Sequence, residues 1–317
     1  MSDSGQQKIV TITLNPALDH TVHIPQFQAG ALNRVEQQRI DPGGKGINVA
    51  KVARALGCPV TATGFLGQDN SKVFREYFQQ QGIHDCFVEV AGAARMNIKI
   101  VDGLSGQVTE INFPGLASNE GDLARLTEVI RQLAGERQWF VFSGSLPPGV
   151  PDTVYHRFIP LLKQQGVKVM LDSSGPALRE GIKAMPDVIK PNLDELRQLT
   201  GKSLIQEAEI QNAVDDLLAG GIRQVIVTLG SQGAIVADKS QMLRVWPPAV
   251  VAKSTVGAGD ALVAGFVVGQ TRGLSLADCA RLGTAAATAS VVQPGTQAGS
   301  LQEVDRLLAA VQISDAG

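Results

Sequence analysis

Cysteine is scarce: Cys58, Cys86 and Cys279 are scattered through 317 residues without a C-x-x-C pair. That leaves neither a zinc site nor a disulfide framework to organise the chain, and it fits a reducing cytoplasm. Long apolar runs are missing as well. No stretch of about 18 apolar residues occurs, and the polar start Met1–Gln7 has no apolar segment behind a basic one. The expectation is a chain that is neither membrane-spanning nor secreted. Nor is there an excess of charge of one sign, since 28 Lys and Arg stand against 30 Asp and Glu for a formal net charge of −2. With no basic run or aromatic-plus-basic cluster, the chain has little field with which to hold a nucleic acid; small anions remain candidates.

What is present is enough apolar material for a sizeable core, at 44% hydrophobic and 18% charged residues. No interior linker or internal repeat is visible, so residues 1–317 read as one domain. Short β-branched-rich segments alternate with helical patterns. Lys8–Leu14 reads as a strand stopped by Asn15-Pro16, Gly46–Leu56 as a helix ending at Gly57, and Val60–Leu66 as a strand. Asn70–Gln81 follows as a helix with Val73, Phe74, Tyr77 and Phe78 inward. Residues 96–101 and 108–113 break this rhythm. They alternate with period two around Asp102-Gly103 to Gly106, which predicts a hairpin projecting from the main sheet as a lid.

Beyond it, Asp122–Leu133 reads as a helix, and strands at Trp139–Phe142, Val167–Leu171, Val188–Asn192 and Val225–Leu229 follow, with a helix at Leu193–Leu199 and a last one at Leu301–Val311. Each of these strands delivers Ser, Asp, Asn or Gly at its carboxyl end, where doubly wound folds place their ligands.

Ser254-Thr255-Val256-Gly257-Ala258-Gly259-Asp260 opens a helical, apolar run at Ala261–Phe266. Glycines there let the backbone approach a ligand, and the unpaired amides of a first helical turn attract an anion. Asp260 would sit beside that anion. Capping the helix is one explanation and general-base chemistry another. A dinucleotide fingerprint fails because Leu262 stands where Gly or Ala is required and Asp278 lies in a helical pattern. A P-loop fails because Leu196 replaces the first glycine before Gly201-Lys202-Ser203.

The stretch Gly43-Gly44-Lys45-Gly46-Ile47-Asn48-Val49-Ala50 and the loop ending at Asp260 resemble the two signatures of the ribokinase-like (PfkB) carbohydrate kinases. Ser143-Gly144-Ser145-Leu146-Pro147, Asp172-Ser173-Ser174, Lys190-Pro191-Asn192-Leu193-Asp194-Glu195 and Thr228-Leu229-Gly230 resemble that family in order and spacing. The resemblance implies an α/β fold, a three-layer α/β/α sandwich with a mainly parallel central sheet and a small protruding β-sheet lid formed by roughly 15–40 and 90–114.

It further implies ATP and Mg²⁺ as cofactors, with Asp260 as base and the amides around Gly257, Ala258 and Gly259 facing the transferred phosphate. By the same resemblance, Asn192 and Glu195 organise Mg²⁺ through water. Lys190, Thr228, Gly230, Gly233 and Gln293 fall to the nucleotide, with Asn192. Asp19, Gly43, Gly44, Asn48 and Ser143 fall to the sugar. Ser254 and Val256 lie where members of the family can hold K⁺ through carbonyls, and lids of several members pair as homodimers.

Arg34, Lys45 and Arg95 could converge on a second anion, which a plain hexose does not need. With Thr13-Leu14-Asn15-Pro16-Ala17-Leu18-Asp19 upstream, the chain is most similar to the branch acting on phosphorylated ketohexoses. The expected reaction is ATP-dependent conversion of fructose 1-phosphate to fructose 1,6-bisphosphate. Tagatose 6-phosphate and fructose 6-phosphate are alternative acceptors, and a non-catalytic sugar-phosphate or nucleotide sensor is the alternative from another class.

Overall fold

The computed structural model describes residues 9–135 and 138–316. The readings at Met1–Gln7 and Lys8 fall outside them. The first half runs β1 (Ile9–Thr13), β2 (Ala17–Ile24), β3 (Gln37–Gly43), α1 (Lys45–Ala55), β4 (Val60–Gly67), α2 (Ser71–Gln81), β5 (His84–Asp85), β6 (Val88–Val90), β7 (Arg95–Asp102) and β8 (Val108–Ile111). The second half runs α3 (Glu120–Leu133), β9 (Trp139–Ser143), α4 (Tyr155–Lys163), β10 (Lys168–Asp172), α5 (Gly175–Lys183), β11 (Val188–Ile189), α6 (Leu193–Thr200), α7 (Glu207–Ala219) and β12 (Gln224–Thr228). It closes with β13 (Ala234–Asp238), β14 (Met242–Trp246), α8 (Ala258–Thr271), α9 (Leu276–Val291), α10 (Leu301–Leu308) and β15 (Gln312–Asp315).

The main sheet has the order β15-β14-β13-β12-β11-β10-β9-β1-β4-β5, with β6 also on β4. From β12 to β5 every pairing is parallel, and β13, β14 and β15 extend one edge antiparallel. Such strands are buried on both faces, so alternate residues feed two cores. In β9, Trp139 and Val141 join a core with α1, α2, α8, α9 and α10. Phe140 and Phe142 join the opposite core with α3 to α7. This is the three-layer α/β/α arrangement, and it brings the carboxyl ends of β1, β9, β10, β11 and β12 to one rim.

A second sheet, ordered β3-β2-β7-β8, stands apart from the first. Its strands come from two distant segments joined by the parallel pairing of β2 with β7. Arg95, Asn97 and Lys99 stand at alternate positions of β7 and are polar, with Asn97 and Lys99 buried, whereas Met96 on the other face is 40% exposed. The apolar face of the lid thus points outward and the polar face inward. The hairpin's second strand ends at Ile111 rather than Phe113, where the Phe113 amide turns to the Asn97 side chain. Val73 is 42% exposed, because α2 buries only the stripe of Phe74 and Phe78, and its placement among the inward residues is corrected. The last helix stops at Leu308, and the chain adds β15, which period-based reading does not find.

Helix α8 is buried nearly all round and packs tightly on α9. A Cβ on Gly265 would lie 2.6 Å from the Leu282 carbonyl oxygen, and one on Gly283 2.8 Å from that of Leu262. Two backbones this close admit no side chain between them. We expect Gly265→Ala to cost about 1–3 kcal/mol by overpacking. Urea unfolding checks this, and an unchanged midpoint would show that α9 yields freely.

Candidate active site

Between that rim and the lid lies a cleft of about 1010 Å³. Its floor is the start of α8. Gly257 takes φ +80°, a left-handed conformation suited to glycine, and thereby turns the chain into the helix. The Ala258 amide bonds back to the Thr255 carbonyl at 3.4 Å and the Ala261 amide to that of Gly257 at 2.9 Å, while the amides of Gly259 and Asp260 between them take no backbone partner among the described residues. Free amides at a helix start favour an anion. Asp260 is 5% exposed, and its Oδ2 accepts a hydrogen bond from Asn48 Nδ2 at 2.8 Å. Its other oxygen has no protein partner among the described residues. Burial pushes its carboxyl up to about 6, with Asp172 adding to the rise and Lys45, Asn48 and Lys190 holding it back. Carboxylates near that value serve as bases around neutral pH.

Asp172, at the end of β10, is fully buried yet charged. Its Oδ1 meets Lys190 Nζ at 3.0 Å and Lys45 Nζ at 3.4 Å, and its Oδ2 accepts from Ser143 Oγ at 2.9 Å. Burial alone would raise its pKa; Lys190 and Lys45 reverse that and hold it below the usual carboxylate range. In return Asp172, above all, keeps Lys45 firmly protonated, with Asp260 and Glu195 adding to it. Lys45 itself is offered by Gly44, the first residue before α1, whose φ of +114° sets the helix against β1.

The side of the cleft where the resemblance expects the sugar is built on the second sheet. Asp19 on β2 sits opposite Asn97 in the β2–β7 register. Its Oδ1 accepts from Asn97 Nδ2 at 3.2 Å and its Oδ2 from Lys99 Nζ at 3.1 Å. Gly43 stands behind it, since a Cβ there would fall 2.8 Å from Asp19 Oδ2. Arg95 donates to the Phe113 and Asn15 carbonyls, while its Nε is buried without a partner. Glu110 and Asn112 line the cleft from the β8 side.

On the opposite side, where the resemblance expects the nucleotide, Asn192, Thr228, Gly230 and Gly233 line the cleft beside an apolar wall of Pro247, Pro248, Ala287 and Val291. Asn192 and Glu195 cap α6 reciprocally, Asn192 Oδ1 accepting from the Glu195 amide at 2.7 Å and Glu195 Oε2 from the Asn192 amide at 2.8 Å. No group of three acidic, His or Cys side chains able to cage a metal occurs among the described residues. Mg²⁺, which keeps much of its water and takes phosphate oxygens, fits such a site as an ion carried in with a nucleotide, with Asn192 on the cleft wall beside it.

Four expected site residues stand elsewhere. Arg34 is exposed in the loop between β2 and β3 and does not line the cleft, so Arg34, Lys45 and Arg95 do not converge on one anion. Lys45 is drawn instead to Asp172. Ser143 lies beneath the cleft as a donor to Asp172. Gln293 turns to Glu303 at 2.9 Å rather than to the nucleotide side. Glu195 is tied into its cap behind Asn192 and is not part of the cleft wall.

Asp172 stands at a strand end the sequence marks, but nothing local gives it a role, and Asn97 and Lys99 carry no local signal of theirs. Period-two alternation put those two on the polar face, and only the sheet shows that this face is the covered one. The wall at Pro247–Val250 carries no local signal at all.

Comparison with known proteins gives one answer. A family profile described as pfkB family carbohydrate kinase matches residues 12–303. The chain is 39% identical over 308 residues to 1-phosphofructokinase of Vibrio cholerae, covering 97% of each. It is 42% identical over 279 residues to 1-phosphofructokinase of Rhodobacter capsulatus, covering 88% of each. Phosphofructokinase-2 from Escherichia coli in complex with potassium superposes with a TM-score of 0.92 at 31% identity, over 96% of this chain and 99% of that one. With the paired glycine turns facing each other across the same cleft, the chain belongs to the pfkB family of carbohydrate kinases.

Proposed function

We propose that this sugar kinase transfers the γ-phosphoryl group of ATP to fructose 1-phosphate, giving fructose 1,6-bisphosphate and ADP. The observation that carries the reading is Asp260, a buried carboxylate with one free oxygen at a turn of free amides. Asp260 takes the proton of the acceptor hydroxyl while that oxygen bonds to phosphorus and the bond from phosphorus to the β-phosphate oxygen breaks. The amides of Gly259 and Asp260, with Lys45 and Lys190, stabilise the charge on the transferring group. Mg²⁺ held beside Asn192 through water, with Glu195 fixing Asn192 from behind, would neutralise the phosphates. Asp19 orients the sugar hydroxyls, and the lid excludes water. Arg95, with its unpartnered Nε, is the cation for the sugar's own phosphate.

The named relatives support fructose 1-phosphate as acceptor. Potassium in the superposed phosphofructokinase-2 supports K⁺ near Ser254 and Val256. Ile40, Ile98 and Ile111, in register with His20 across the outer face of the lid, support a homodimer formed lid to lid.

Fructose 1-phosphate, fructose 6-phosphate and tagatose 6-phosphate assayed side by side should show the highest kcat/KM for the first; a different order reassigns the acceptor. In the same assay Arg95→Ala should raise KM for the phosphosugar about tenfold and leave KM for ATP alone, as loss of a charge-assisted contact predicts.

Asp260→Asn should lower kcat/KM by about 10²- to 10⁴-fold. In the wild type, kcat/KM should fall below about pH 6 as Asp260 takes up a proton. The sign for stability is opposite. A carboxyl raised from 3.8 to about 6 by folding contributes stability below its unfolded pKa and loses it as pH rises through 6. Keeping it ionised at pH 7 therefore costs roughly 3 kcal/mol. Asp260→Asn should melt at a higher temperature than the wild type at pH 7 and gain nothing at pH 4; a variant that melts lower at both contradicts the burial argument. For the lid, Ile111→Lys should shift the mass measured by light scattering from dimer to monomer, and a monomeric wild type would remove the dimer.

A further inference from the structure

Lys51 follows Lys45 and Asn48 on α1 at intervals of three residues, and no step above uses it. It is 7% exposed, an uncommon burial for an ammonium group. No carboxylate lies within ion-pair distance of it among the described residues. Its Nζ donates instead to Thr296 O at 3.1 Å, Thr296 Oγ1 at 3.2 Å and Asn48 Oδ1 at 3.5 Å, and lies 5.5 Å from the Tyr77 ring centre.

Two parts of the transfer site meet at this ammonium. The Asn48 carboxamide is polarised from both ends, with Oδ1 toward Lys51 and Nδ2 toward Asp260. The flipped amide would set its NH₂ against an ammonium and its oxygen against a carboxylate, so a positive Lys51 selects the orientation that donates to the base. On the other side, Thr296 packs against the turn that opens α8, its Cγ2 3.5 Å from where a Gly257 Cβ would stand.

We propose that Lys51 is a positioning residue for phosphoryl transfer, fixing the Asn48 carboxamide toward Asp260 and the Thr296 segment against the Gly257 turn. The proposal rests on Asp260 as the base. Besides Asn48, the groups facing Asp260 are Lys45, Lys190 and Asp172, and those facing Lys51 are Asp41, Asp19, Asp260 and Arg39. Burial lowers the Lys51 ammonium to about 8 against the pull of those carboxylates, so it is charged throughout the range in which Asp260 titrates.

The test is the pH profile of kcat/KM with the phosphosugar turned over fastest. Lys51→Met should move the acid limb up by half a pH unit or more, so that the loss at pH 6 exceeds that at pH 8 by about twofold or more. Lys51→Arg, which keeps the charge, should leave the limb where it is in the wild type. An equal loss at every pH in folded Lys51→Met makes Lys51 merely structural and overturns the proposal. Lys51→Gln decides on the same limb if Lys51→Met does not fold, and failure of both to fold also overturns it. Asp260→Asn reports on the base assignment alone, so failure of that reading and failure of this one are separate results.

Discussion

Two carboxylates buried at one end of a parallel sheet set the terms for everything around them. Asp172 and Asp260 repel one another, and each loses hydration that a protein interior replaces poorly. Lys190 and Lys45 satisfy Asp172 directly; Asp260 has only one amide donor and the open amides of its own helix start. The asymmetry is the chemistry. One carboxylate is fixed as an anion that anchors two lysines, and the other is left near the point of titration, able to accept a proton.

The fold makes that arrangement available because parallel strands deliver their carboxyl ends to a common rim, and two glycine-led helices start there. Gly44 and Gly257 do the same work from distant parts of the chain, each taking a positive φ that brings a helix start to the cleft. The lid supplies what the rim lacks. Its inward face carries Asp19 with Asn97 and Lys99, and Arg39 on β3 reaches the Pro294 carbonyl at 3.2 Å, tying the lid to the segment that holds Thr296.

Much of this was legible in the sequence where a residue's role is set by its neighbours in the chain. The turn at Gly257 and the strand ends at Ser143, Asp172 and Asn192 all follow from local pattern. Resemblance joined them into one site. What local pattern could not supply was direction. Arg34 and Lys45 are equally basic in sequence, yet one faces solvent and the other a buried Asp172. Ser143 and Gln293 were polar residues at the right distance along the chain, but their side chains are turned to Asp172 and Glu303. The alternation in β7 gave two faces without saying which is covered. Lys51 carries no local signal of its burial, which depends on Thr296, 245 residues away.

That last separation is typical of the site. Asn48 and Asp260 are 212 residues apart, Lys45 and Asp172 127, and Asp19 and Lys99 80. Contacts of such span require large loops to close and are the slow part of folding, later than the helices and hairpins that form locally. The helix start with its open amides is set by local sequence, whereas the Asn48 contact to Asp260 and the sheet that covers the cleft need the whole chain to come together. A nascent or half-folded copy therefore has no assembled cleft.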